Sequence, residues 1–347
     1  MEDNTPKRGR RAITTSEIAR LCGVSRTTVS AVLKGKTTVR ENIRRRVLEC
    51  IREQGYESGM IARTLVSELS QMVSILAADM GTSPYQTMVF RGIIEVLEPE
   101  GYHLLFHNVR HEGQSDERTL ASLHAYHPAG YIILKGAEGE GGGGEHAQRI
   151  VEDGVPLVAV AKLEGVETHS ITFDDRTAMR RATDYVIEKG HRRLGHIACH
   201  AFGSKNRQIG FVESAINHEI PFSEIAIIDA GETPTAGYQA GLQMLSDAKS
   251  RPTAVMCFND MVAMGVYRAA HELSLDIPGD LSVVGFDGID FTELFGPPLT
   301  SVNIFPTELG RKAAQLLLRV MRNQVGRGIV EEPVEPQLIE RASVRQL

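Results

Sequence analysis

A chain of 347 residues exceeds what one hydrophobic core usually supports, so two or three domains are expected. Its 42% hydrophobic and 24% charged residues are typical of globular proteins, and no run of 18 apolar residues predicts a membrane span. Residues 1–11 are polar and basic, without the apolar core of a secretory signal, which predicts a basic disordered tail on a cytoplasmic protein. Residues 1–70 hold 14 Lys and Arg against 8 Asp and Glu, although the whole chain carries a net charge of −6. A basic head on an acidic body predicts that nucleic acid binds at the head only.

Residues 12–57 carry the signals of three short helices around a small core. Thr14-Thr15-Ser16-Glu17 fits a capping box for the first helix, and Gly23 permits a left-handed residue at its end. Ser25 is the predicted cap of a second helix over 26–34, and a third helix covers 41–54. The predicted buried side chains are those of Ile18, Ala19, Leu21, Cys22, Val29, Val32, Leu33, Ile43, Val47, Leu48 and Ile51. Two short helices joined by a tight turn, with a third across them, predict a helix-turn-helix module for the DNA major groove.

The order of residues in this module resembles the LacI/GalR family of transcriptional regulators, the lac and galactose repressors. The shared signature is Ala19-x-x-Cys22-Gly23-Val24-Ser25-x-Thr27-Thr28-Val29-Ser30-x-Val32-Leu33, continued by Gly55-Tyr56 and by Ala62-Arg63-Thr64-Leu65. The resemblance implies a DNA-binding domain over 12–57, a hinge helix and linker over 58–70, and a two-lobed ligand-binding and dimerisation domain over 71–347.

The resemblance also implies roles for individual side chains on DNA. Arg26 and Thr27 correspond to base-reading positions, and Arg suits the two acceptors of guanine. Hydroxyl residues would fix the register on phosphates, and Leu65 would enter the minor groove as a wedge, or else be an ordinary apolar residue of a linker helix. The predicted DNA-contacting residues are Thr14, Ser25, Arg26, Thr27, Thr28, Ser30, Ala31, Ala62 and Leu65.

The head departs from the family pattern at three places. Ala31 stands where many members have Arg; Ala cannot make that guanine contact but can touch a thymine methyl, so the operator is expected to differ from the commonest family operators. Ser58-Gly59 replaces the usual Pro-Asn, and because Gly disfavours helix, ordering of the hinge is expected to depend more on DNA. The usual cap of the third helix aligns with Arg40, so Thr37 or Thr38 caps it instead, or that end frays.

From residue 71 onward, short apolar runs alternate with amphipathic stretches, which predicts parallel sheets flanked by helices. The predicted strands cover 73–77, 102–107, 130–134, 157–161, 194–198, 226–228, 254–257 and 282–285, and the predicted helices cover 85–98, 178–189, 206–218, 236–248 and 261–272. Segments 188–195, 258–265 and 282–288 resemble hallmarks of the family, and 297–302 resembles its crossing between lobes. The resemblance therefore implies a type I periplasmic-binding-protein-like α/β fold with a ligand cleft between two lobes.

Polar side chains at the carboxyl ends of parallel strands are candidates for that cleft. Matching positions are Asp79, Tyr85 and Gln86 in the first lobe, and Asp174, Arg207, Asn259 and Asp287 in the second. This set suits a sugar or another polyhydroxyl compound. A nucleobase is not excluded, although Ala201, Gly203 and Glu232 occupy positions of ligand contacts in purine-binding members. Asp174, Asp175 or Asn259 would otherwise be helix caps, and Asp287 would otherwise shape a turn.

No set of residues in the chain predicts catalysis, a cofactor or a metal site. The run over 139–144 lacks the Gly-Lys-Ser/Thr ending of a phosphate loop and is predicted to be a flexible surface loop. His103, His107 and His111, like His191, His196 and His200, lie in strand and turn segments rather than on one helix face, which does not favour a metal site. The four cysteines are predicted to be small buried hydrophobes.

The sequence thus predicts a sequence-specific DNA-binding repressor, not an enzyme, that acts as a homodimer on a pseudo-palindromic DNA operator. A small-molecule effector, expected to be a sugar, would control its operator affinity from the cleft. No leucine heptads follow 338–343, so the resemblance predicts a dimer rather than a tetramer. A solute-binding transport component and an enzyme with a DNA-binding head are the competing interpretations. The effector, its sign as inducer or corepressor, and the operator sequence stay open.

Overall fold

The computed structural model describes residues 15–33, 39–53, 71–77, 83–108, 126–134, 143–163, 165–199, 204–326 and 328–347. The chain separates into two compact units, Met1–Gln71 with His124–Ala129 and Met72–Leu123 with Gly130–Leu347. Within the described ranges no helix is long and apolar enough to cross a membrane. The basic tail, Thr14, the hinge helix with Ala62 and Leu65, and Asp79 lie outside the described residues.

The first unit contains the three predicted helices: α1 (Thr15–Leu21), α2 (Arg26–Leu33) and α3 (Glu41–Glu53). Their common core consists of Ile18, Ala19, Cys22, Val29, Val32 and Val47. Between α1 and α2, Gly23 has a φ of 59°, the left-handed conformation that the sequence predicts and that glycine adopts without a Cβ penalty. The helix-turn-helix arrangement is therefore confirmed.

Two side chains predicted to lie in this core are exposed instead. Leu21 is 52% exposed and Leu48 is 46% exposed, so both predictions were wrong. The reason is the size of the unit: short helices around a small core each bury only a narrow stripe, and Leu21 and Leu48 flank the stripes of Ile18 and Val47. The side chains of Leu33 and Ile51 lie outside the description.

Two six-stranded sheets form the second unit, one in each lobe. The first sheet has the order β11-β5-β4-β3-β1-β2 and the second has the order β12-β10-β9-β8-β6-β7. The strands of the first sheet are β1 (Met72–Ala77), β2 (His103–Asn108), β3 (Gly130–Leu134), β4 (Leu157–Val160), β5 (His169–Thr172) and β11 (Glu331–Pro333). The strands of the second are β6 (Leu194–Cys199), β7 (Ile225–Ala230), β8 (Ala254–Cys257), β9 (Ser282–Asp287), β10 (Thr300–Asn303) and β12 (Gln337–Ile339). Adjacent strands pair in parallel except β10 and β12, and buried central strands such as β3 and β8 explain the continuous apolar runs of the sequence.

Helices cover both sheets, which confirms the predicted combination of a helical head with a two-lobed α/β body. The first lobe contains α4 (Pro84–Leu97), α5 (Gly143–Glu152) and α10 (Pro306–Met321), and the second contains α6 (Asp175–Glu188), α7 (Ser204–Asn217), α8 (Pro234–Leu245) and α9 (Asp260–Glu272). Short 3₁₀ helices follow at Phe222–Glu224 and Asp290–Leu294.

Several boundaries differ from the sequence prediction. Gly143 and Gly144, predicted to be loop, open α5, because Ala147 and Ile150 farther along bury an apolar face against the first sheet. Strand β5 and helix α10 were not predicted. Segment 297–302 was predicted to cross between lobes, but Thr300–Asn303 is a strand of the second sheet. The chain passes between sheets after β5 at 173–174, after β10 at 304–305, and after β11 at 334–336.

Candidate functional site

Hydroxyl groups organise the start of α2, the predicted reading helix. The Ser25 Oγ accepts the backbone N–H of Thr28 at 3.0 Å, which confirms the predicted cap. The same Oγ lies 2.7 Å from the Thr27 hydroxyl and 2.8 Å from the Thr28 hydroxyl. Three hydroxyls therefore converge on the positive end of the helix, where phosphate oxygens are favoured.

The outward face of α2 is polar and accessible. Arg26 and Thr27 are exposed, whereas Thr28, Ser30 and Ala31 are half-buried. An exposed guanidinium offers paired donors to a base edge, and the hydroxyls offer single donors to phosphates. The arrangement is chemically able to read DNA, and the contacts themselves stay predictions.

In the second lobe, Arg207 on α7 is enclosed by acceptors, with only 4% of its surface exposed. Its Nε donates to Asp175 Oδ1 at 2.8 Å, and its Nη2 lies 3.4 Å from Asp287 Oδ1. Its Nη1 donates to the backbone oxygen of Phe258 at 2.5 Å. Each arm of the guanidinium thus has a fixed partner.

Two aromatic rings complete the enclosure of Arg207. The guanidinium carbon lies 4.6 Å from the centroid of the Phe258 ring and 3.7 Å from that of Phe286. Burial disfavours the charged form, but Asp175 and Asp287 outweigh it and raise the pKa of Arg207 above its ordinary value. The cation is therefore permanent and is outnumbered by two buried carboxylates, Asp175 and Asp287. An incoming anion would compete with those carboxylates for the same donors.

Asp174 and Asn259 act as helix caps beside this cluster. Asp174 Oδ1 accepts the backbone N–H of Thr177 at 3.0 Å; burial opposes its ionisation, yet hydrogen bonds from Thr177 and Arg176 lower the pKa of Asp174. Asn259 Oδ1 accepts the N–H of Val262 at 2.8 Å, and its Nδ2 donates to the backbone oxygen of Glu232 at 3.2 Å. Capping fixes the orientation of both side chains, and their ligand contacts stay predictions.

In the first lobe, Tyr85 and Gln86 lie in the first turn of α4. Ser83 caps this helix, accepting the N–H of Gln86 at 3.4 Å, and the Gln86 side chain is buried. The phenol of Tyr85 contributes to the electrostatic environment of Arg207. This electrostatic effect places Tyr85 near the second-lobe cluster, to which Asp287 also belongs, with a φ of 107° at the end of β9.

Sequence reasoning missed several members of the cluster. Asp175 was considered only as a cap, but it is the closer carboxylate to Arg207. Asp260, fully buried at the start of α9, was not singled out. His196 is buried on β6, donates its Nδ1–H to the Met256 backbone oxygen at 2.9 Å, and stacks on Phe211. Burial lowers the pKa of His196 to about 4. For Asp260 and His196 the available signal was an ionisable residue inside an apolar run, and Asp175 had no such signal.

Two further polar features among the described residues are His107 and the Arg319–Glu332 pair. His107 Nε2 lies 3.2 Å from the Ser74 hydroxyl, and no group of His, Cys, Asp and Glu in the described segments is arranged to hold a metal ion. A cavity of about 430 Å³ lies on α10 and β11, where Arg319 pairs with Glu332. His111 and His200 lie outside the described residues.

Family models match two parts of the chain. Residues 14–58 match bacterial regulatory proteins of the lacI family, and residues 183–344 match a periplasmic binding protein-like domain. A relative from Proteus mirabilis, the HTH-type transcriptional repressor PurR, is 31% identical over 95% of this chain and 96% of its own. The PurR repressor of Yersinia pestis is likewise 31% identical over the same shares.

Solved structures show the same fold. The lac repressor dimer bound to operator and the anti-inducer ONPF is 22% identical, with a TM-score of 0.77 over 96% of this chain and all of that one. The complex of the transcriptional regulator CelR with cellobiose is 25% identical, with a TM-score of 0.69 over 95% of this chain and 99% of its own. An Enterococcus faecalis regulator with bound ribose is 25% identical, with a TM-score of 0.69 over 80% of this chain and 99% of that chain.

Proposed function

The chain belongs to the LacI family of bacterial regulatory proteins and is a DNA-binding repressor, and we propose that a neutral polyhydroxyl effector controls its affinity for a pseudo-palindromic operator. The effector would be a sugar or sugar derivative held between the two lobes, and the active form would be a homodimer. The dimeric form is supported by the lac repressor dimer, whose fold this chain shares.

The proposed chemical class of the effector rests on the enclosure of Arg207. Two buried carboxylates already exceed the single charge of the guanidinium, so a phosphate or carboxylate ligand would add to an excess of negative charge or displace one carboxylate into the cleft as an uncompensated charge. Hydroxyl groups carry no charge and both donate and accept hydrogen bonds, so they fit beside Asp and Asn side chains. The relatives with bound cellobiose and ribose support this choice.

The predicted cleft residues become the proposed effector contacts. They are Asp79, Tyr85, Gln86, Asp174, Arg207, Asn259 and Asp287. The proposed DNA contacts are those predicted in the head and hinge, with Arg26 and Thr27 reading bases.

Control follows from linkage between the two binding events. An effector that binds one arrangement of the lobes more tightly shifts the protein toward it, and operator affinity changes by the ratio of the two affinities. If that arrangement holds DNA badly, the effector is an inducer; if it holds DNA well, the effector is a corepressor. In either case the effector leaves chemically unchanged, which separates a repressor from an enzyme.

The test is a thermal-shift and calorimetric survey of the full chain with D-ribose, cellobiose, glucose, their phosphate esters, and hypoxanthine. We expect stabilisation of about 2.7 kcal/mol by a neutral sugar at 100 times its Kd, with no effect of the ester of that sugar. Stabilisation by an ester alone would contradict the charge argument. Stabilisation by hypoxanthine alone would move the effector class to nucleobases and leave the repressor function intact.

A further inference from the structure

The passage from β10 to α10, one of the three crossings between lobes, has a constrained backbone. Asn303 Oδ1 accepts the N–H of Phe305 at 2.7 Å, and Phe305 has a left-handed φ of 53° directly before Pro306 opens α10. A non-glycine residue in this conformation is strained and persists only where its surroundings hold it. The crossing therefore depends on how firmly Asn303 and its neighbours are fixed.

Asp260 binds two segments beside this crossing with one fully buried carboxylate. Its Oδ2 accepts the backbone N–H groups of Gly288 and Ile289 at 2.8 and 2.9 Å. Its Oδ1 accepts the hydroxyl of Ser301 on β10 at 2.6 Å. Three donors from two separate segments thus converge on one side chain.

The sequence makes room for this carboxylate. A Cβ on Gly285 would collide with Asp260 Oδ1, so only glycine fits at this position of β9. The carboxylate can therefore sit against the backbone of the strand. The close packing against Gly285 and the hydrogen bonds of the carboxylate both place Asp260 beside the end of β9 and beside β10.

The segments that Asp260 holds are in direct contact with the crossing. A Cβ on Gly288 would collide with Asn303, so the loop after β9 packs closely against the last residue of β10. The N–H of Ile304 also donates to the Asp287 backbone oxygen at 3.4 Å. Displacing the loop would therefore displace Asn303, which supports the left-handed Phe305.

Asp260 also adjoins the effector cleft on both sides. Asn259, its neighbour in sequence, and Asp287, which precedes Gly288, are proposed effector contacts. We propose that Asp260 is a positioning residue of the interlobe crossing from β10 to α10. Its hydrogen bonds connect the end of β9, at the edge of the proposed cleft in the second lobe, to β10, from which the chain passes to the first lobe. A role of Asp260 in effector control rests on the proposed function, whereas its role in positioning the crossing does not.

A purely local role for Asp260, as an anchor of the 288–289 loop, predicts a different response to mutation. Loss of a local anchor would free Gly288 and Ile289 alone. Loss of the positioning residue would also free Phe305 and the first turn of α10, which Asp260 does not touch. Hydrogen exchange of individual backbone amides separates the two, because it reports local opening segment by segment.

The experiment measures amide exchange in the full chain for wild type, Asp260→Ala, Asp260→Asn and Ser301→Ala. Asp260→Ala removes the acceptor of three donors, and we expect exchange to rise about 100-fold at Gly288 and Ile289 and about tenfold at Phe305. Ser301→Ala removes one donor, so it gives a folded variant with a rise of about fivefold at Ile304 and Phe305. In Asp260→Asn the amide oxygen accepts the two N–H groups and the amide nitrogen donates to Ser301, so exchange stays within about threefold of wild type.

Asp247→Asn is the matched control. Asp247 also accepts a backbone N–H (Lys249, 3.0 Å) and a hydroxyl (Ser250, 2.8 Å), but in an exposed turn. Its replacement is expected to leave Phe305 unchanged. The proposal is overturned if neither Asp260→Ala nor Ser301→Ala raises exchange at Phe305. Because no effector or operator takes part, that result would leave the repressor function standing.

Discussion

Arg26 and Arg207 show how differently one residue type is used in the two units of the chain. Arg26 is exposed at the start of α2, whereas Arg207 is enclosed by Asp175, Asp287 and two phenylalanine rings. An arginine that meets a polyanion must stay accessible, and its energy is realised only on binding. An arginine inside a cleft must be balanced beforehand, because an isolated buried charge is prohibitively costly.

This difference indicates how each unit would obtain its binding specificity. Under the proposed contacts, specificity at the head depends on exposed donors, so substitutions there should change DNA binding and leave stability nearly unaltered. In the proposed cleft it depends on a buried ion-pair network, so substitutions should change stability and ligand binding together.

The largest effect is expected at Arg207. Arg207→Ala leaves Asp175 and Asp287 buried without their cation, and we expect a loss of about 3–5 kcal/mol in the free energy of unfolding. Arg91→Ala is the matched control, because Arg91 forms an exposed ion pair with Asp290 at 3.1 Å, which should contribute about 0–1 kcal/mol. Denaturant unfolding of the full chain measures both. Equal losses of unfolding free energy would mean that the network of Arg207, Asp175 and Asp287 contributes no more to stability than an exposed ion pair.

The next effect concerns the pH dependence of stability, to which His196 and Asp260 contribute with opposite signs. Burial lowers the pKa of His196 to about 4, so its contribution is complete above pH 6.5 and is lost as pH falls toward 4. Burial raises the pKa of the Asp260 carboxyl to about 7, so the fold is favoured at low pH and loses stability as pH rises from 3.8 to 7.

His196→Leu removes the first of these two opposing contributions to the pH dependence of stability. In wild type, His196 makes the free energy of unfolding rise by about 3 kcal/mol between pH 4 and 6.5, and this rise should be absent from the variant. Other histidines with lowered pKa values, such as His191, are present in both proteins and cancel in the difference. Denaturant unfolding at pH 4.5, 5.5 and 6.5 checks this. Parallel curves for the two proteins would show that His196 is not buried in its neutral form.

At the head, Arg26→Ala should cost about 1–3 kcal/mol on the cognate operator and relax discrimination at one base pair of each half-site. The free energy of unfolding should stay within about 0.5 kcal/mol of wild type, because the side chain is exposed. Binding to single-base operator variants measures the change. Arg45→Ala, at an exposed position of α3, is the control and should not alter base preference. Equal weakening on every sequence by Arg26→Ala would rule out base reading.

The smallest effect is expected at the cap of α2. Ser25→Ala removes the acceptor of the Thr28 N–H and should destabilise the helix start by about 1 kcal/mol. Amide exchange at Thr28 in the full chain should therefore rise about fivefold. Ser30→Ala, in the last turns of the same helix, should leave Thr28 unchanged. If both variants behave alike, the hydroxyl cluster is not the support of this helix.

The sequence predicted those features that local chemistry determines. The cap at Ser25, the turn at Gly23 and the helix spacing follow from neighbours within a few residues, and the structure confirms them. Leu21 and Leu48 were misplaced because periodicity marks an apolar face but not how much of it a small core covers.

The cleft was predictable in part. Asn259 and Asp287 stand within motifs and Arg207 at a position that matches the family, but the partners of Arg207 come from α6, from the residue after β8 and from β9, and only the folded chain brings these together. Asp260 was hidden for the same reason, since the donors that justify a buried carboxylate lie 28 to 41 positions away in the sequence. A residue whose role depends on distant backbone groups leaves little local signal.

The measurement that tests the central claim most directly is chromosome-wide footprinting of the full-length protein and its Arg26→Ala variant, repeated after addition of the neutral sugar that stabilises the cleft. The account predicts short pseudo-palindromic sites for wild type, relaxed preference at one base pair per half-site in the variant, and a change in wild-type occupancy when the sugar is added. Salt-dependent coverage of the chromosome without preferred sites, alike in both proteins and indifferent to the sugar, would contradict it.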